Sequence, residues 1–128
     1  MQLIDTHTHL YLEEFDHDRH EVVQNAINAG VTKMMLPNID STSIDSMLAL
    51  AGQFPSNCFP MIGLHPTSVK ENYSNELAIM EEWLAKRNFI GIGECGMDLY
   101  WDKSFALEQE IVFRHHIDLA RTYDLPLI

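Results

Sequence analysis

Apolar and polar positions along this chain alternate between two spacings. Short apolar runs predict β-strands at residues 2–6, 31–36, 58–64, 89–93 and 125–128. Between these runs, apolar residues recur every three or four positions, which predicts amphipathic helices at 18–29, 41–54, 75–86 and 104–123. Gly30 is suited to stop the first helix, and Pro37 ends the second strand.

Strands that alternate with amphipathic helices are typical of βαβ units in a parallel sheet. Four complete units and the start of a fifth strand lie within the 128 residues. A closed (β/α)8 barrel, or TIM barrel, takes ~250 residues. The pattern therefore predicts an α/β fold that is about the first half of a TIM barrel. An open parallel sheet of five strands is the alternative that the pattern alone leaves in place.

The composition is ordinary for a soluble globular domain, with 46% hydrophobic and 21% charged residues. No run is long and apolar enough to cross a bilayer, and the first residues lack the basic leader of a signal peptide. Cys58 and Cys95 lie far apart and belong to no CxxC pair, so both are expected to be free thiols. These features predict a cytoplasmic protein with no membrane partner.

The net charge narrows the possible partners. Eight basic residues against nineteen acidic residues give a charge of −11. Such a surface repels a nucleic-acid backbone at long range, which argues against a protein that coats DNA. It does not exclude an enzyme that binds one end of a nucleic-acid strand through bound cations.

The first strand ends in the sequence Asp5-Thr6-His7-Thr8-His9. Because side chains alternate along a strand, Asp5, His7 and His9 are expected on one face. Two imidazoles at this spacing can bind one divalent cation, and Asp5 can support them by fixing a ring tautomer. The alternative is a pair of exposed loop histidines.

Glu94 follows the fourth predicted strand and is flanked by Gly93 and Gly96. Active sites of barrel enzymes lie at the carboxyl ends of the strands, so Glu94 is expected to meet the two histidines. A carboxylate there is suited to bridge two cations. The alternative is a capping or surface acid. The neighbouring Cys95 is expected to point away from this face.

Three further residues lie at the same end of the predicted sheet. His65 follows the third strand, and Pro66 disfavours a helical conformation there, so His65 is a candidate contact for a substrate phosphate or leaving group. Asp98 is a candidate to orient the loop or a ligand, and an Asx turn is the alternative. Trp101 is suited to stack on a base, or to act as a lid or packing residue.

Four segments together resemble the TatD family of metal-dependent deoxyribonucleases, and they occur in the family's order across the whole chain. They are IDTHTHL at 4–10, GLHP at 63–66, GIGECGMD at 91–98, and QEIVF at 109–113 followed by LPLI at 125–128. Any one motif is weak, whereas the series is specific. Met97 stands where leucine is more usual in the family, a conservative change.

The resemblance implies a two-metal hydrolase on a TIM barrel, with residues 1–128 as its N-terminal half. His7 and His9 match ligands to one cation, Glu94 matches the bridging, catalytic carboxylate, and His65 matches a residue near the substrate. The remaining ligands and a general-base aspartate are expected beyond Ile128. The implied cofactors are two divalent metal ions (Mg, Mn or Zn), and the implied activity is 3′–5′ exonuclease trimming of single-stranded DNA or RNA ends.

Two other functions suit the same residues. One is a related metal-dependent hydrolase that acts on an amide, a lactone, a small ester or a D-aminoacyl-tRNA. The other is a truncated half barrel without catalysis, which would expose a strand edge at 125–128 and persist only as an oligomer or together with its other half. The oligomeric state is left open by the sequence.

Overall fold

Three parallel strands form the regular part of the sheet in the computed structural model, which describes residues 1–128. The strands lie side by side in chain order and are β1 (Leu3–Asp5), β2 (Val31–Pro37) and β3 (Cys58–Met61). Ile4 is in register with Lys33, and Leu36 is in register with Pro60.

Two extended segments continue this sheet, although each forms only isolated bridges. Ile92 bridges Ile62 on one side and Leu127 on the other, both in parallel orientation. The Ile92 N–H donates to Pro126 O at 2.9 Å, and the Ile128 N–H donates to Ile92 O at 2.9 Å. Pro126 has no N–H to add the preceding bond, which keeps this pairing short.

Four helices alternate with the strands, as the apolar pattern predicts. They are α1 (Arg19–Asn28), α2 (Ile44–Gln53), α3 (Tyr73–Lys86) and α4 (Ala106–Tyr123). The helix predicted at 41–54 begins as a short 3-10 turn over Ser41–Ser43. The reason is a capping box, in which Asp40 accepts from the Thr42 N–H at 3.0 Å and Ser43 Oγ accepts from the Asp40 N–H at 3.3 Å.

The apolar stripe of each helix packs against the sheet. In α2 the buried positions are Ile44, Met47, Leu50 and Ala51, which recur at helical spacing. They join a core cluster that also includes Leu36 from β2 and Ile62 from the bridge after β3, both with no exposed surface. None of the helices combines the length and the apolar character needed to cross a membrane.

The order of the five parallel segments follows the chain without reversal. An open doubly wound sheet reverses its strand order at a switch point, whereas a barrel does not. The structure is therefore the first part of a (β/α)8 barrel, as predicted. β1 has a neighbour on one side only, and Ile4 is 55% exposed there. The carboxyl ends of all five segments meet at one edge, where the candidate site lies.

Candidate metal centre

Three side chains converge at the carboxyl ends of the first and fourth parallel segments. His7 Nε2 lies 2.9 Å from Glu94 Oε2 and 3.2 Å from His9 Nε2. His9 Nε2 lies 3.3 Å from the same carboxylate oxygen. The structure thus brings together the three residues proposed as metal ligands from the sequence, and their ligand atoms all lie within 4.8 Å of one another.

The two histidines lie on the segment that leaves β1. The Asp5 carboxylate accepts from the backbone N–H of His7 at 3.1 Å, so its contact is with the main chain and not with a histidine ring. The Thr8 N–H donates to Met35 O at 3.0 Å, which keeps the segment beside β2. These two bonds hold the chain extended, so His7 and His9 point to the same side.

Glu94 is held by Asn38, a fully buried residue at the end of β2 that sequence reasoning missed. The Glu94 N–H donates to Asn38 O at 3.3 Å. The Asn38 amide donates to Gly63 O at 2.9 Å and accepts from Ser43 Oγ at 2.8 Å. This one residue therefore ties together the ends of three strands, through its backbone carbonyl to Glu94 and its side-chain amide to Gly63. The available signal was a polar amide directly after an apolar strand, where burial requires a hydrogen-bond partner.

Two glycines allow the third and fourth segments to approach closely. A Cβ atom at Gly63 would lie 2.3 Å from the carbonyl carbon of Gly93, inside any real contact distance. Gly93 itself has φ +150°, and a Cβ there would lie 2.5 Å from Ile128 O. Glycine is required at both positions, and the approach brings Glu94 over the end of β3.

His65 contacts the opposite oxygen of the same carboxylate. Its Nε2 lies 3.2 Å from Glu94 Oε1. Its Nδ1 accepts from the Thr67 N–H at 3.1 Å, within the short 3-10 turn that Pro66 begins. The structure therefore places the predicted substrate-contacting histidine against Glu94.

His116 holds the residue before His65 in place. Its Nε2 accepts from the Leu64 N–H at 3.0 Å, and its Nδ1 lies 2.7 Å from Val112 O. Burial lowers the pKa of His116 to about 4, so the ring is neutral at pH 7. A neutral imidazole with one donor and one acceptor satisfies both buried partners.

Asp98 and Trp101 lie in the loop beyond Glu94. The Asp98 carboxylate accepts from the Tyr100 N–H at 2.9 Å, which is an Asx turn. The buried Gln109 bonds both backbone groups of Asp98, at 2.8 Å and 3.1 Å, and so fixes the loop to α4. Trp101 is 79% exposed and lines a small cavity together with Asp98 and Thr67, the residue bonded to His65.

Cys95 is not part of the cluster. Its Sγ donates to Ile128 O at 3.3 Å. Burial, with a smaller effect of Glu94, raises the pKa of this thiol to about 11. The thiol is therefore protonated at neutral pH and directed away from the three ligand atoms, as expected from the sequence.

The donor set suits a divalent cation. Burial lowers the pKa of His9, although the Glu94 carboxylate acts in the opposite direction. A neutral imidazole offers a nitrogen lone pair, and Glu94 Oε2 offers negative charge within 3.3 Å of it. Imidazole with carboxylate is a ligand combination used for zinc and manganese and, with more oxygen ligands, magnesium.

Comparison with known proteins gives a consistent family assignment. The family described as TatD related DNase matches residues 4–128. The metal-dependent hydrolase YabD of Bacillus subtilis, described as uncharacterized, is 33% identical over 98% of this chain and 49% of its own length. The 3′-5′ ssDNA/RNA exonuclease TatD of Erwinia tasmaniensis is 28% identical over 98% of this chain and 48% of its own.

Solved structures show the same relationship. The crystal structure of YjjV, a TatD homologue from Escherichia coli K12, superposes with a TM-score of 0.88 at 30% identity, covering 98% of this chain and 49% of that one. A hydrolase of the TatD family from Entamoeba histolytica shares the fold, with a TM-score of 0.77 at 21% identity, covering 99% and 48%. The chain spans about half the length of the curated relatives it matches.

Proposed function

This chain belongs to the TatD-related DNase family, and on that basis we propose that residues 1–128 form the N-terminal half of a metal-dependent phosphodiesterase barrel. The relatives are about twice as long as this chain. In this proposal, further ligands and a general base come from the second half of the barrel, whose strands would cover the exposed edges of β1 and of 126–128.

The observation that carries the proposal is the convergence of His7, His9 and Glu94. His7 and Glu94 are 87 positions apart in the chain, yet their side chains meet at 2.9 Å. His7 and His9 would hold one divalent cation through Nε2. Glu94 would help to hold this cation and a second one, the role that the resemblance to the family implies for it. Such cations activate a water nucleophile and stabilise charge on a phosphodiester.

The proposed substrate is the 3′ end of single-stranded DNA or RNA. Relatives that match nearly the whole chain carry the name 3′-5′ ssDNA/RNA exonuclease. The net charge of −11 does not favour long-range attraction of a nucleic acid. Affinity would therefore come from local contacts, with His65 donating to a phosphate oxygen and the exposed Trp101 stacking on a base.

The proposal is tested on the natural full-length protein. Its intact mass should be about twice the 14.7 kDa of this chain. It should shorten 5′-labelled single strands from the 3′ end only when Mg²⁺, Mn²⁺ or Zn²⁺ is added. Glu94→Gln should lower this activity at least ~100-fold with the fold retained. Loss of a residue that only hydrogen-bonds to a metal ligand already costs ~10–100-fold, and loss of a ligand should cost more.

The matched control is Glu81→Gln. Glu81 also contacts a histidine, His115, with a distance of 2.7 Å, but on the exposed surface between α3 and α4. Its substitution should leave the activity unchanged. A natural mass near 14.7 kDa or full activity in Glu94→Gln would contradict the proposal. Metal-dependent cleavage of esters or amides without nuclease activity would assign the site to another class of hydrolase.

A further inference from the structure

The Tyr11 hydroxyl lies between His9 and the end of β2. Tyr11 is only 1% exposed. Its oxygen is 2.8 Å from His9 Nδ1 and 2.5 Å from Pro37 O. A backbone carbonyl can only accept a hydrogen bond, and a phenol has a single proton. The Tyr11 proton is therefore donated to Pro37 O.

This bond determines the direction of the bond to His9. Since the Tyr11 proton is already used, its oxygen can only accept from His9, and His9 Nδ1 must carry a hydrogen. A neutral imidazole has one N–H, so His9 Nε2 is left with a free lone pair. That nitrogen faces Glu94 Oε2 at 3.3 Å.

We infer that Tyr11 is a positioning residue that holds His9 in the Nδ1–H tautomer and thereby makes His9 Nε2 a metal ligand. The inference rests on the proposed function, in which His9 binds a cation. Pro37 is part of β2, so the Tyr11–Pro37 bond also anchors the residues after β1 to the neighbouring strand. The orientation of a ligand histidine by a buried partner is a general feature of metal sites.

His65 provides an internal contrast at the same carboxylate. Its Nδ1 accepts from the Thr67 N–H at 3.1 Å, so in the neutral ring the hydrogen is on Nε2. His65 Nε2 therefore carries the hydrogen, and this N–H lies beside the carboxylate, with Nε2 3.2 Å from Glu94 Oε1. Two histidines that lie beside one carboxylate are therefore held in opposite tautomers: Nε2 of His9 has a free lone pair, whereas Nε2 of His65 carries a hydrogen.

The test uses the full-length protein, with ¹⁵N-labelled histidine and no added metal. In the wild-type spectrum at neutral pH, His9 should show a protonated Nδ1 and an unprotonated Nε2, and His65 should show the reverse. Each signal is assigned by its loss in His9→Gln or His65→Gln. A protonated Nε2 on His9 would overturn the inference, and this measurement requires no Tyr11 variant.

The second arm is Tyr11→Phe, which removes only the hydroxyl. His9 should shift toward a mixture of tautomers, and the Kd for Zn²⁺ and Mn²⁺ should rise about 10–100-fold. Tyr73→Phe, on α3 and packed against the core, is the matched control and should change neither. Unchanged metal affinity in Tyr11→Phe would also overturn the inference.

Failure of the proposed function gives a different result. A wild-type protein that takes up no Zn²⁺ or Mn²⁺ contradicts the metal site itself and, with it, the ligand role of His9. The tautomers of His9 and His65 in the metal-free spectrum then still decide whether Tyr11 orients the ring.

Discussion

The ring of His65 meets the Glu94 carboxylate at Oε1, with its Nε2 at 3.2 Å. The other oxygen, Oε2, faces His7 and His9. Because His65 Nδ1 accepts a hydrogen bond from the Thr67 N–H, the His65 nitrogen toward Glu94 carries the proton. His65 is therefore arranged as a donor, whereas the other two histidines converge on one oxygen as ligands would.

Replacement of His65 should separate catalysis from metal binding. We expect His65→Gln to lower kcat/KM about 10–100-fold, the value of a hydrogen bond to a charged group. The metal content per protein, measured by elemental analysis, should not change. A loss of metal in this variant would make His65 a ligand and contradict its role as a donor.

Replacement of the two histidines after β1, in contrast, should lower metal binding itself. In the double variant His7→Ala and His9→Ala, the divalent-metal content should fall because two of the three converging ligand atoms are lost. The control is the double variant His17→Ala and His20→Ala, which removes two exposed histidines near the start of α1. Unchanged stoichiometry after loss of His7 and His9 would contradict the ligand assignment.

Gly63 should tolerate no side chain. Its Cβ would lie 2.3 Å from the backbone of Gly93, so Gly63→Ala must move the strand that carries Glu94. We expect a loss of at least ~2 kcal/mol in the free energy of unfolding, measured with urea, together with loss of activity. Gly52→Ala is the control, because a Cβ there meets nothing within 4 Å. In helix α2 it should raise stability by up to ~1 kcal/mol.

The buried His116 should make stability depend on pH in a defined direction. Its pKa is about 4 in the folded protein and 6.5 in an unfolded chain. As the pH falls from 6.5 toward 4, the unfolded chain binds a proton that the folded protein excludes. The free energy of unfolding should therefore fall over this interval by about 3 kcal/mol in total. Well below pH 4 both states carry the proton, and His116 causes no further change.

The measurement is a series of urea denaturation curves between pH 7 and pH 4. His116→Gln should show a flatter dependence than the wild type, because the titrating group is gone. His17→Gln removes an exposed histidine and should retain the wild-type slope. Equal slopes in the wild type and in His116→Gln would mean that His116 is not buried in its neutral form.

Trp101 should contribute to substrate affinity. Stacking on an aromatic side chain is worth about 1–3 kcal/mol per base, so Trp101→Ala should weaken binding of a single-stranded oligonucleotide about 5–100-fold. Trp101→Phe keeps an aromatic face and should retain much of the affinity. Equal affinity in Trp101→Ala and the wild type, measured by fluorescence anisotropy, would exclude stacking at this position.

The fold was largely predictable because hydrophobic spacing reports directly on burial. All four helices were predicted within a few residues of their bounds, and β2 and β3 were also found. The fourth and fifth strands were predicted in full, but the structure contains only bridges at Ile92 and Leu127. Strand length depends on backbone pairing with neighbours, and the sequence records one limit on that pairing here, the missing N–H of Pro126.

The site was predictable only in part. The sequence pointed to four site residues because each follows an apolar strand and carries a side chain that can bind a metal ion or a phosphate. These residues are His7, His9, His65 and Glu94. Asn38 and Tyr11 were not singled out, and Gln109 was named only as the start of a family-like segment with no role given. Each acts through bonds to the backbone of residues elsewhere in the chain, such as Asn38 to Gly63. Such contacts depend on register and crossing of segments, and these follow from tertiary packing.

The separation of 87 positions between His7 and Glu94 affects when the site can form during synthesis. The two histidines leave the ribosome long before the carboxylate exists, and the three meet only after the fourth segment has joined β3. Contacts between residues so far apart in the chain cost loop-closure entropy and are associated with slow folding. A growing chain therefore lacks the complete cluster, and a metal ion held by the three residues together would bind only after the sheet has assembled.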